Sequence, residues 1–266
     1  IAESTGKHGV GILPVVGSSL ELAETGHEMP ADRAFVRMTL ASERDPAVDQ
    51  TLAALVEAGH PVIEIVLESP TDLGGEIMRW EMATAAAGIV LGINPFDQPD
   101  VGLAKRHTAM ALDGEISLQT DALLAAGEAP QAISALLEAA RPGDYVAVQA
   151  FLASSDEIRT RIDELRGLLA RRTGVAVTSG FGPRFLHSTG QLHKGGPATG
   201  IFIQLRDQPP EGSAVPGREL TLGRLVTAQA QGDLAALGER GRRHLGIDLG
   251  RQTLSALKEL IAALEH

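Results

Sequence analysis

Hydrophobic and polar positions follow two rhythms along this chain. Short apolar runs at Val10–Val16, Arg33–Leu40 and Pro61–Leu67 predict buried strands. Between the last two, Leu52, Leu55 and Val56 fall at helical spacing over Asp49–Ala58, and Gly59 is placed to end that helix. Leu73–Ile93 predicts a long core helix, stopped by Asn94-Pro95, and a further helix runs from about Pro99 to Leu112 with Asp97 or Gln98 near its start. Leu118–Ala126 and Pro130–Ala140 predict short helices. Asp144–Leu152, Thr173–Thr178 and Thr199–Leu205 predict strands, with an amphipathic helix at Ser155–Arg171 opened by a Ser-Ser-Asp-Glu capping signal. After a polar loop at Pro209–Arg218 come helices at Leu220–Ala230 and Leu234–Arg240, a short strand at Leu245–Leu249 and a closing helix at Arg251–Glu265.

Strands alternating with helices predict an α/β protein with a mostly parallel sheet and flanking helices. No fixed-period repeat interrupts that rhythm. The expected organisation is an α/β domain over 1–112, a helical connector over 113–142, and a C-terminal α/β part over 143–266.

Composition narrows the function classes. Hydrophobic residues make up 44% of the 266, enough for a full core, while aromatics are only 3%, which suits helix-on-sheet packing better than a nucleic-acid stacking platform. The net charge of −11 argues against DNA or RNA as a partner, although a small phosphorylated ligand needs only a few local donors. Without cysteine there is no disulfide framework and no zinc–thiolate site, which fits a cytoplasmic setting. No apolar run is long enough to span a bilayer, and no membrane partner is expected. The chain opens on Ile1, inside a motif and without Met, so an upstream portion is expected.

Three stretches carry chemistry. Glu3-Ser-Thr-Gly-Lys7 sets a carboxylate beside hydroxyls ahead of a predicted strand. Asn94-Pro-Phe-Asp-Gln-Pro-Asp-Val-Gly-Leu-Ala-Lys105 places a lysine two turns into a helix, either solvated or turned back over the loop toward a ligand. Phe185-Leu-His-Ser-Thr-Gly-Gln-Leu-His-Lys-Gly-Gly196 is the densest, with two histidines, two hydroxyls, an amide and a lysine between predicted strands. Three readings of it stand side by side. His187 and His193 are metal ligands lacking a nearby carboxylate or thiolate; or the glycine turns at Gly180-Phe-Gly182 and Gly195-Gly196 hold phosphate; or a neutral His187 transfers protons with Ser188, Thr189 and Gln191 orienting it or the substrate.

Together the three stretches resemble phosphoglucose isomerase, the family that interconverts glucose 6-phosphate and fructose 6-phosphate, and most of all the form fused behind a transaldolase domain in bacteria. Glu3-Ser-Thr-Gly-Lys7 is similar to the family's Glu-Ser-(Thr/Asn)-Gly-Lys element. Phe96-Asp-Gln-Pro-Asp-Val-Gly-Leu-Ala-Lys105 is similar to Phe-Asp-Gln-x-Gly-Val-Glu-x-x-Lys, the most specific of the three. Leu186-His-Ser-Thr-Gly-Gln191 resembles Leu-His-Ser-x-Gly-Gln. The likeness extends over Gly75–Lys105, Gly180–Gly196 and the Thr221–Asp233 segment. Asp100 and Gly102 stand where the common signature has Gly and Glu, and the histidine element follows the lysine element here instead of preceding it.

The resemblance implies a sugar-isomerase (SIS)-like three-layer sandwich with an additional C-terminal α/β segment. It implies Glu3 as the base moving a proton between C1 and C2, with Lys105 and His187 opening the sugar ring. Gln98, Ser188 and Gln191 are expected to bind substrate, and Arg184 is a candidate cation for the enediolate. The resemblance implies neither metal nor other cofactor. A sugar phosphate is the expected ligand. An upstream SIS domain, with a transaldolase domain ahead of it in the fused form, is the expected covalent neighbour, and the resemblance implies a homodimer whose subunits share the active site. Two other functions compete: a non-catalytic sugar-phosphate-binding module, and a nucleotide-binding doubly wound domain. The last lacks both a Gly-x-Gly-x-x-Gly after the first strand and a Walker lysine loop.

Overall fold

A computed structural model describes residues 1–16, 31–114, 123–208 and 212–265. The architecture is α/β with parallel sheets and flanking helices, as expected from the alternating pattern. Seven strands form two sheets among the described residues. The smaller pairs β1 (Phe35–Leu40) with β2 (Val62–Leu67) in parallel, in register from Phe35 with Val62 to Leu40 with Leu67. The larger contains β3 (Leu123–Ala125), β4 (Tyr145–Phe151), β5 (Ala176–Phe181), β6 (Gly200–Arg206) and β7 (Arg243–Asp248). Its order is β3-β7-β6-β4-β5, and every neighbouring pair is parallel.

The central strands β4 and β6 are buried along their whole length, which is why they read as near-continuous apolar runs. One face carries Val146, Val148, Ala150, Ile201, Ile203 and Leu205 into the main core. That core is closed by α5 (Ala129–Glu138), α6 (Asp156–Thr173) and α9 (Thr253–Leu264). The other face carries Tyr145, Ala147 and Phe202 toward Leu237 of α8 (Leu222–Glu239). Gln149 and Gln204 face each other in register on that second side, both buried. The sheet is therefore apolar on one side and partly polar on the other, and the polar side holds the candidate site.

Caps explain where several helices begin and end. In α2 (Pro46–Glu57) the Asp45 side chain accepts from Ala47 N at 2.9 Å, and proline occupies the first turn. Ser155 accepts from Ile158 N at 3.2 Å to open α6, as the capping signal predicted. The long helix α3 (Leu73–Leu91) ends on Gly92 at φ 69°, and α4 (Val101–Asp113) ends on Gly114 at φ 75°.

Several expectations are corrected. Val10–Val16 is not a strand: Val10 makes only a bridge with Lys7, and residues 11–16 continue without regular structure. Within the expected helix Leu118–Ala126, residues 123–125 are instead strand β3, because β7 offers an open edge to pair with. Residues 115–122 lie outside those described. Within residues 113–142, expected as a helical connector, residues 123–125 form an edge strand of the larger sheet and α5 packs on its apolar face. The two helices expected at Leu220–Ala230 and Leu234–Arg240 are one, α8, because Gly232 is tolerated mid-helix where another helix approaches closely. The strand expected at Thr173–Thr178 is displaced to Ala176–Phe181, since α6 continues to Thr173 and stops on Gly174 at φ 67°. The α4 helix starts at Val101, beyond Asp97 and Gln98, and neither caps it. Of the polar loop at Pro209–Arg218, residues 209–211 lie outside the described set.

The smaller unit is less well covered. Its buried core is Phe35, Leu52 and Leu55, with Val48 and Val62 against it. Ile63, Ile77, Met82, Ile89 and Val90 remain exposed on β2 and α3. Among the described residues, no helix is long and apolar enough to cross a membrane.

Candidate functional site

Three short elements converge on the polar side of the larger sheet. The first is α1 (Ala2–Thr5), a single turn bearing Glu3. The second is the start of α4, bearing Lys105. The third runs through a 3-10 turn at Arg184–His187 into α7 (Gly190–Gly195), which packs against α1. Glycine makes these approaches possible: a Cβ at Gly6 would run into Leu192 Cα of α7. At Gly232 in α8 a Cβ would lie 2.6 Å from Thr108 Oγ1, so this glycine lets α4 sit directly on α8.

A small cavity of about 140 Å³ lies where α4, α7 and α8 meet, lined by Lys105, His187, Lys194, Asp100, Thr108 and Gln229 among others. Lys105 and His187 are both exposed, so their charged or titratable ends are open to solvent at its mouth. Lys194 is 3% exposed; its ammonium pairs with Asp233 of α8 at 2.5 Å and donates to Gly190 O at 3.1 Å. Both partners of that ion pair are buried, and neither Asp233 oxygen has a further hydrogen-bond donor among the described residues.

The structure therefore brings together two of the three expected catalytic residues. Glu3 is half-buried on α1, next to α7, but is not among the residues lining the cavity. Gln98, Arg184 and Ser188 are exposed and do not line it either; Ser188 Oγ donates to Phe185 O at 3.2 Å. Gln191 departs most from expectation. It is fully buried, its Oε1 accepts from Asp100 N at 3.0 Å, and its Nε2 donates to Gly6 O at 3.0 Å and Asp100 Oδ2 at 2.7 Å. Both amide hydrogens are committed inside the protein, so Gln191 links the end of α1 to the start of α4.

His193 is built differently from His187. It is buried against Tyr145, Phe185 and Phe202, with ring centroids 5.1 to 6.3 Å apart. Burial, with the nearby charges of Lys194 and Arg242, pushes its pKa down to about 3, so the imidazole is neutral at physiological pH. Its Nδ1 is 3.2 Å from Gln149 Nε2, while Nε2 has no hydrogen-bond partner among the described residues. The two histidines point to different surroundings, and no group of three or more His, Asp or Glu side chains suited to a metal forms among the described residues.

Lys7, Asp100 and Arg240 were not foreseen as site residues. Lys7 is fully buried, and its ammonium donates to Asn94 O at 2.8 Å, to Asp97 Oδ1 at 2.7 Å and to Asp97 O. Asp100 pairs with Arg240 through Oδ1. The signal for Lys7 was its place in the Glu-Ser-Thr-Gly-Lys motif. That for Asp100 was its departure from the signature's glycine. A lysine and a carboxylate near a motif do not by themselves say whether they face ligand or protein.

The parallel α/β fold thus carries a small cavity lined by Lys105, His187, Lys194 and Asp100, with the Glu3 helix packed on α7 nearby. No family model matches the chain. Over 94 residues it is 34% identical to a glucose-6-phosphate isomerase of Leptospira interrogans serovar Lai, covering 35% of this chain and 21% of that protein. A glucose-6-phosphate isomerase of Leptospira biflexa serovar Patoc is 31% identical over 132 residues, covering 37% of this chain and 29% of that protein. The chain thus matches less than a third of the length of these relatives. Among solved structures, a hypothetical protein from Thermus thermophilus aligns with a TM-score of 0.41 and 18% identity over 86% of this chain and 56% of that one.

Proposed function

We propose that this chain carries catalytic residues of an aldose–ketose isomerase acting on glucose 6-phosphate and fructose 6-phosphate, as part of a larger enzyme. The observation that carries this reading is the shared cavity of Lys105 and His187, which are far apart in sequence and to both of which the resemblance gives a part in ring opening. The distant likeness to proteins named glucose-6-phosphate isomerase points the same way.

The chemistry needs three groups. A proton donor to the ring oxygen is supplied by His187 with Lys105. A base that takes a carbon-bound proton and returns it to the neighbouring carbon is supplied by Glu3. A cation for the enediolate is supplied by Lys105 or Arg184. Lys194, held by Asp233, adds a buried ammonium at the cavity wall. No step calls for a metal or nicotinamide. An upstream SIS-type domain, within a transaldolase fusion, provides the phosphate-binding hydroxyls, and a second copy completes the site in a cytoplasmic homodimer.

One observation favours a second reading. Glu3 is not on the cavity wall, as it would not need to be in a sugar-phosphate-binding module without turnover. The two separate in one experiment on the full-length protein. Glu3→Gln is expected to lower kcat for fructose 6-phosphate by ~10²-fold or more while substrate binding, measured by calorimetry, survives. Intact turnover in that variant would sink the isomerase mechanism. Binding without turnover in the wild type would establish the binding module.

A further inference from the structure

We infer that Asp100 is a positioning residue that ties the Glu3 helix to the helix bearing Lys105, with Gln191 as the bridge. The functional consequence rests on the isomerase reading above; the tie itself rests on geometry.

Asp100 stands at the N-terminal cap of α4, where a carboxylate ordinarily accepts from the first free backbone N–H groups. It makes no such bond here. Its carboxylate turns away instead, one oxygen accepting from Gln191 Nε2 at 2.7 Å and the other pairing with the Arg240 guanidinium. Its own backbone N–H donates to Gln191 Oε1 at 3.0 Å, and the remaining Gln191 hydrogen reaches Gly6 O at 3.0 Å. Asp100 is 5% exposed and Gln191 is fully buried, so these bonds compete little with water. Gly6 follows the Glu3 helix directly, and Asp100 opens the helix that carries Lys105 and itself lines the cavity. One amide thus fixes the distance between the element holding the base and the element holding the ring-opening lysine.

Two further features show that this junction is built, not incidental. Gly195 has no room for a side chain: a Cβ there would run into Asp100 Oδ2 and lie 2.7 Å from Gln191 Nε2 and 2.8 Å from Gly6 O. A second strap runs in parallel, from the buried Lys7 ammonium to Asn94 O and Asp97 Oδ1 in the loop just before α4. The signature that this region resembles has glycine at the position of Asp100, so the carboxylate tie belongs to this chain's own sequence and not to the motif. A neutral side chain at 100 would face Arg240 without a charge, and an amide would set a donor against either Gln191 or Arg240.

The test uses the full-length protein with Asp100→Asn and Gln191→Met. The second variant removes the bridge without touching the Arg240 pair, and carries the test where the first fails to fold. Hydrogen exchange of peptides spanning residues 2–12 is expected to speed by about tenfold or more in both, with β4 and β6 peptides unchanged. Turnover of fructose 6-phosphate is expected to fall by about tenfold or more in kcat, with KM moving by less than about threefold, as for misplaced but intact groups. Unchanged exchange in folded variants overturns the tie. Faster exchange with full kcat overturns the positioning role. A wild type without turnover overturns the isomerase reading and the positioning role with it, while the exchange result still decides the tie.

Discussion

His193 is neutral in the folded protein because burial among three aromatic rings, with Lys194 and Arg242 nearby, holds its pKa near 3. The ordinary value in an unfolded chain is about 6.5. A group whose folded pKa is depressed contributes stability that is complete above the unfolded value and is lost as pH falls toward the folded one. Between about pH 6.5 and pH 3 this residue therefore destabilises the fold by on the order of 1 kcal/mol per pH unit. In His193→Phe that slope is absent, so the difference in urea-unfolding free energy between wild type and variant should shift in favour of the variant as pH falls from 7 to 4.5. A constant difference across that range would show that His193 does not titrate on unfolding. The buried Lys194–Asp233 pair makes a second residue-scale prediction. Asp233→Asn leaves an ammonium uncompensated and should cost ~3–5 kcal/mol, whereas replacing both partners with Met and Leu should recover most of it. If the single and double variants unfold at the same urea concentration, the pair is not a desolvated one.

At the scale of elements, the packing of α4 on α8 shows what was legible in the sequence and what was not. The periodic apolar positions gave β1, β2, α3, α4, β4, α6 and β6 close to their observed places, with β4, α6 and β6 burying a continuous stripe or run. By contrast, α3 buries only Glu76 and Gly88 and is not the core helix expected. The same pattern failed at Val10–Val16, which is apolar yet finds no strand partner, and at Leu123–Ala125, which is helix-prone in composition yet pairs with β7. Pairing across a sheet is a tertiary fact that local composition does not carry. The candidate site divides in the same way. The resemblance of three motifs to a known family singled out Glu3, Lys105 and His187, and the last two line one cavity. It could not say that Gln191 would turn inward to Gly6 and Asp100, or that Lys7 would be fully buried on the loop before α4, since side-chain direction in a turn depends on what packs beside it. Nor did the two histidines of one twelve-residue stretch announce that one would line the cavity and the other sit in an aromatic cage.

For the whole molecule, the two sheets differ in how well they are held. The larger joins five parallel strands, with its apolar face sealed by α5, α6 and α9. The smaller is two strands backed by α2, with a core of Phe35, Leu52 and Leu55. Isolated two-stranded sheets are marginal in water, and apolar surface is left on this one, where Ile63 is 54% exposed and Val36 42%; on α3, Met82 is 63% exposed and Ile89 and Val90 more than 80%. A helix that is apolar on most sides, as α3 is, contributes little to stability while so much of that surface stays in water. Local opening free energies follow buried apolar contact, so the two sheets should not open together. Native-state hydrogen exchange on this chain is expected to find the amides of Phe35–Leu40 and Val62–Leu67 exchanging at least ~tenfold faster than those of Tyr145–Phe151 and Gly200–Arg206, a gap of at least ~1.4 kcal/mol. It should also separate in denaturant, with the fast class lost at lower urea. Equal protection across both sheets would mean that the small core and the exposed face of α3 are stabilised by more than the contacts described, and that the molecule unfolds as one unit.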